Sequence, residues 1–134
     1  MTKFDKDNIT GVAALLVHAA KIDEKYSSSE KKLIEDFIKS YISDVKSSEI
    51  IDKAEKIESD SNQLLSFTNI IKKNTIEFKS DIIEHLWKII ISDNTIDQYE
   101  SNLMRRICGL IYFPDKESAE INLITMNMSQ RLMN

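Results

Sequence analysis

The chain has 134 residues, 42% apolar and 30% charged, with a formal net charge of −4. That length holds one domain around one core, expected over residues 1–134, and the composition excludes disorder. Lysines scattered among acids give no broad basic face, which excludes nucleic acid as a partner, and two glycines with one proline are too few for sheets and hairpins, so the chain reads as all-α.

In chain order, Ile9, Val12, Ala13, Leu16 and Ala20 recur at helical spacing and predict a first helix ending near Lys21. Ser27 and Glu30 have the spacing of a capping box and open a second helix, striped by Leu33, Ile34, Phe37, Ile38 and Tyr41. A third helix starts at Ser47 or Ser48, carries Ile50, Ile51, Ala54 and Ile57, and stops in the polar run 58–62. A fourth runs from about Gln63 through Phe67 and Ile71 to Lys73. The fifth, from about Glu77 to Ser92, is apolar on more than one face, which predicts a central place and a buried Trp87 between the two halves of the chain. Asp97 and Glu100 repeat the capping-box spacing ahead of a sixth helix marked by Leu103, Met104, Ile107, Cys108 and Ile111. Pro114 then breaks the chain, and Asp115 is the expected N-cap of a seventh helix with Ala119, Leu123 and Met126 inward.

One loop occurs twice. Residues 22–30 recur as residues 92–100, so that Asp23 matches Asp93, Leu16 matches Leu86, Glu30 matches Glu100 and Ile34 matches Met104, each pair 70 positions apart. A repeated helix-loop-helix, with halves at about 8–42 and 77–112, is expected to pack about a pseudo-twofold axis and bring both acidic loops to one surface. The carboxylates there have two readings. Glu30 and Glu100 suit helix caps, where the macrodipole favours them. Asp23 and Asp93 fall at helix C-terminal ends, where a negative charge needs compensation from an Asx turn or a bound cation. A site made of Asp23, Glu30, Asp93, Asp97 and Glu100 offers only hard oxygen ligands, which suits Ca²⁺ or Mg²⁺.

The run from Phe67-Thr68 through Glu84-His85-Leu86-Trp87, followed by Ser92-Asp93-Asn94-Thr95-Ile96-Asp97-Gln98-Tyr99-Glu100 and by Leu103-Met104-Arg105-Arg106-Ile107, resembles the TerB-like family associated with tellurite resistance. The family pattern has an Ala-Asp-Gly turn, an aliphatic residue three after the Asp, a Glu seven after it, and often a Leu-Trp before and an Arg-Arg-Ile after. The resemblance covers Leu16 to Phe37 and Leu64 to Tyr112. It implies a bundle of about seven helices and a cytoplasmic bacterial protein. It also implies an acidic face for divalent cations or for partners in membrane-linked stress complexes. Asn94 stands where the family has glycine and tolerates the left-handed turn, whereas Glu24 and Ser27 depart from the pattern in the first loop and leave the second loop as the stronger site.

Other chemistries find little to use. The N-terminus lacks the apolar core of a secretory signal, and no apolar run approaches the ~18 residues of a membrane span, so a cytoplasmic protein outside the membrane is expected. Lone Cys108 forms no internal disulfide and reads as a buried thiol. His18 and His85 lack the glutamate three residues before them that a di-iron bundle requires, so His18 reads as a packed histidine. Asp81 and His85 read as a surface hydrogen-bonded pair. Trp87, Tyr99, Met126, Met128 and Met133 read as core, with residues 121–128 capping the bundle or forming a partner surface. The expected function is a non-enzymatic binding or adaptor module for an unidentified protein partner, with a divalent cation on its acidic face. The alternatives are a metal-free interaction scaffold and a carboxylate- or metal-dependent hydrolase.

Overall fold

The computed structural model describes residues 6–21, 26–42, 47–60, 64–91 and 98–133. Seven helices follow one another: α1 (Lys6–Lys21), α2 (Ser28–Tyr41), α3 (Ser47–Asp60), α4 (Leu64–Lys72), α5 (Ile76–Ile91), α6 (Gln98–Ile111) and α7 (Asp115–Met133). No strand occurs among the described residues.

The centre is shared by two helices. α5 packs against α1, α2, α4, α6 and α7, as its wide apolar arc requires, and α1 packs against α2, α3, α4 and α5. The unbroken run Val12-Ala13-Ala14-Leu15-Leu16-Val17 is buried on every side, so α1 has no solvent face there and is more central than its five-residue stripe predicts. The first helices of the two repeat halves thus touch, α1 against α5. Leu16 and Leu86 are both sealed in, as are Ile34 and Met104. One core runs from Ile9 to Phe113.

Local signals place the helix ends. Ser27 has extended backbone (φ −82°, ψ 164°) and its hydroxyl accepts from the Glu30 N–H, while the Glu30 carboxylate accepts from the Ser27 N–H, completing the predicted box. Thr75 caps α5 through its hydroxyl, which accepts from the Phe78 N–H at 3.2 Å. α6 ends in a Schellman turn: Tyr112 is left-handed (φ 59°) and donates to the Gly109 carbonyl, and the Phe113 N–H reaches the Cys108 carbonyl at 2.9 Å.

Three inward assignments differ from the sequence pattern. Ile57 is exposed and Glu58 is buried in its place, because two basic side chains of α1 meet the carboxylate. On α7, Ala119 and Leu123 face solvent, whereas Ser118, Thr125 and half-buried Ile121 and Met126 face the core. That face tolerates hydroxyls because each has a partner: Thr125 donates to the Ile121 carbonyl at 2.7 Å and Ser118 receives the Trp87 indole N–H. Asp115 is the first helical residue rather than the cap. Pro114 precedes it and its carbonyl accepts from the Ser118 N–H, so Asp115 favours α7 through the macrodipole instead.

Candidate functional site

Of the predicted acidic residues, Asp23, Asp93 and Asp97 lie outside the described residues. Glu30 and Glu100 are described, and both are buried, 5% and 2% exposed. The Glu30 carboxylate accepts from both the backbone N–H and the hydroxyl of Ser27, each at 2.9 Å, so one of its oxygens is committed to closing the helix. Tyr26, beside this cap, has its phenol pushed up by burial and by the nearby Glu55 carboxylate, which keeps it protonated.

A different trio gathers donor atoms on α5. Asp81, Glu84 and His85 stand at i, i+3 and i+4 on one helix face, and one ligand atom from each lies within 4.8 Å of the others. All three are partly exposed. The His85 Nδ1 lies 2.8 Å from the Asp81 carbonyl and 3.3 Å from an Asp81 carboxylate oxygen. A carbonyl only accepts, so in this contact Nδ1 is the donor and Nε2 is the ring nitrogen left for any other partner. The ring is held edge-on by Phe37 at 4.9 Å.

The second oxygen of Asp81 accepts from the Tyr41 hydroxyl, which α2 brings against α5. Tyr41 is itself fixed between Phe37 and Phe78, at 5.0 and 5.3 Å between ring centroids. Burial pushes its phenol up first, and the hydrogen bond and charge of Asp81 add to this, so it remains a donor that pins the carboxylate. The Asp81–His85 relation predicted from spacing is present, and Glu84 and Tyr41 extend it. The i, i+3, i+4 spacing of the trio was visible in the sequence, whereas Tyr41 comes from 40 residues away.

His18 also gains an acid that local sequence does not provide. Its Nδ1 is 3.3 Å from Glu58, whose other oxygen accepts from Lys21 at 2.8 Å. This cluster joins α1 to α3 and leaves Glu58 no free side, so its role is packing of a buried carboxylate. Trp87 is buried as expected, yet it faces α7 rather than the interface of the halves: its indole N–H donates to the Ser118 hydroxyl at 3.1 Å. Burial pushes the neighbouring Cys108 thiol up, and a hydrogen bond with Ser118 offsets this only in part, so the cysteine is a thiol rather than a nucleophilic thiolate.

No helix among the described residues is long and apolar enough to cross a membrane. No curated protein and no solved structure matches the chain. The family model of tellurite resistance protein TerB matches residues 10–123, from the second turn of α1 into α7, and the chain belongs to the TerB family.

Proposed function

We propose that the chain is a non-enzymatic TerB-type binding module and that Asp81, Glu84 and His85 hold a divalent cation on its surface. The convergence of three donor atoms within 4.8 Å on one face of a rigid, centrally packed helix carries this reading. An imidazole nitrogen with two carboxylates is a mixed donor set, which suits Mn²⁺ or Zn²⁺ better than the Ca²⁺ or Mg²⁺ of an all-oxygen loop. The acidic loops, with Asp23, Asp93 and Asp97, remain the second place for a cation on this reading.

The absence of enzymatic action is supported by how the nucleophilic side chains are used. The Cys108 thiol is buried, and the Ser118 hydroxyl accepts from Trp87. Adaptor action toward a protein partner is supported by the outer face of α7, where Leu123 and Ile124 are 62% and 58% exposed. Titration followed by Mn²⁺ electron paramagnetic resonance separates the readings. Loss of the free-ion signal with wild type and its return with Glu84→Gln support the α5 site. Loss that persists in Glu84→Gln and vanishes in Asp93→Asn moves the cation to the second loop. A signal that wild type leaves untouched rejects the cation and leaves the docking reading.

A further inference from the structure

The two oxygens of the Asp81 carboxylate face different partners. One lies 3.3 Å from the His85 Nδ1 on α5 itself, and the other accepts the Tyr41 hydroxyl brought by α2. That hydroxyl has little freedom to leave. Tyr41 is the last residue of α2, its ring is held by Phe37 and Phe78, and burial together with the Asp81 charge keeps the phenol a donor.

A carboxylate held on one oxygen by a neighbour's O–H presents a cation with its other oxygen. Asp81 then contributes one oxygen, Glu84 at most two and His85 its Nε2, so this face supplies at most four donor atoms, one of them nitrogen. Such a set discriminates between ions. Ca²⁺ takes about six to eight oxygen ligands and uses carboxylates that grip with both oxygens, whereas Zn²⁺ is complete with about four ligands and accepts imidazole among them.

We propose that Tyr41 is a positioning residue that sets the selectivity of this site, its hydroxyl keeping Asp81 on one oxygen and so favouring Zn²⁺ over Ca²⁺. The inference rests on the cation reading of Asp81, Glu84 and His85. Tyr41 touches no ion and acts through Asp81 alone.

Calorimetric titrations of the full chain with Zn²⁺ and with Ca²⁺ give two dissociation constants, and their ratio is the readout. Wild type is expected to bind Zn²⁺ more tightly. Tyr41→Phe keeps the ring between Phe37 and Phe78, removes the hydroxyl and frees the second oxygen of Asp81. Zn²⁺ is then expected to bind about 10- to 100-fold more weakly, the usual effect of losing a hydrogen bond that orients a metal ligand. Ca²⁺ is expected to bind as in wild type or more tightly, so the ratio moves toward Ca²⁺ by about tenfold or more. A hydroxyl that only ties α2 to α5 would weaken both ions by one factor, and equal weakening, or no change in either, overturns the proposal. Glu84→Gln removes a ligand common to both ions and is expected to weaken both. Binding that Glu84→Gln weakens, with a ratio that Tyr41→Phe leaves unmoved, removes this inference and keeps the cation reading, whereas a wild type that binds neither ion removes both. In wild type itself Zn²⁺ is expected to shift the ring-proton resonances of Tyr41, and resonances left in place overturn the proposal without any substitution.

Discussion

Glu30 and Glu100 hold the same place in two helices: each is the third residue of its helix, α2 and α6, and each is buried. A carboxylate at that position meets the positive end of the helix dipole and the unpaired N–H groups of the first turn, which is what allows it to be removed from water. In α2 the partner is Ser27, bonded in both directions.

The cap makes a first prediction. Ser27→Ala removes the hydroxyl that Glu30 both donates to and accepts from, and it is expected to lower stability by roughly 1–2 kcal/mol in chemical denaturation. Ser28→Ala next to it, exposed and already helical, is expected to be silent. Equal effects of the two would show that the box contributes nothing specific.

Capping and periodicity made most of the helix boundaries legible, because both signals act within one turn. The errors share another origin. Ile57 fits the α3 stripe better than Glu58 does, and what turns Glu58 inward is His18 and Lys21, 40 and 37 residues away. On α7, Ile121, Leu123 and Ile124 give every face an apolar residue, so pattern alone does not fix the rotation. The Trp87 N–H does, by taking Ser118 inward as its acceptor. At the candidate cation site the spacing of Asp81, Glu84 and His85 is local and readable, while the Tyr41 bond that pins Asp81 belongs to tertiary packing.

Trp87 carries the second prediction. Trp87→Ala deletes a side chain only 6% exposed and orphans Ser118, and is expected to cost roughly 3–5 kcal/mol by denaturant melting. Trp87→Phe keeps most of the ring and is expected to cost about 1–2 kcal/mol through the lost hydrogen bond and the volume change. An unchanged midpoint for Trp87→Ala would place it outside the cooperative core.

Tyr112 ends α6 in the left-handed region, where a side chain costs roughly 1–2 kcal/mol. Its exposed ring regains part of this under Lys72, whose Nζ sits 4.9 Å from the centroid. Tyr112→Gly is therefore expected to raise the thermal midpoint, by the equivalent of about 0.5–1 kcal/mol. A lower midpoint would mean that the Lys72 contact outweighs the backbone strain.

Tyr41 predicts a pH dependence. Its folded-state pKa lies above the ordinary value of 10.0, so the native state keeps a proton that the unfolded chain releases. The stabilisation is fully present below about pH 10 and declines as pH rises from there toward the folded pKa. Tyr41→Phe is expected to be less stable than wild type near neutrality, with the gap narrowing as the pH is raised above about 10. A gap that stays constant to higher pH would remove Asp81 and burial as the cause.

The cation proposal is tested most directly by thermal melting of wild type and Glu84→Gln with and without Mn²⁺, Zn²⁺, Ca²⁺ or Mg²⁺. Glu84→Gln preserves size and removes one of the charges that would touch the cation, so its metal-free midpoint is expected to match wild type. At a cation concentration about 100 times its dissociation constant, wild type is expected to gain about 2.7 kcal/mol, with Mn²⁺ or Zn²⁺ acting at lower concentration than Ca²⁺ or Mg²⁺, and Glu84→Gln to gain far less. Equal stabilisation of both proteins, or of neither by any of the four cations, would contradict a site at Asp81, Glu84 and His85.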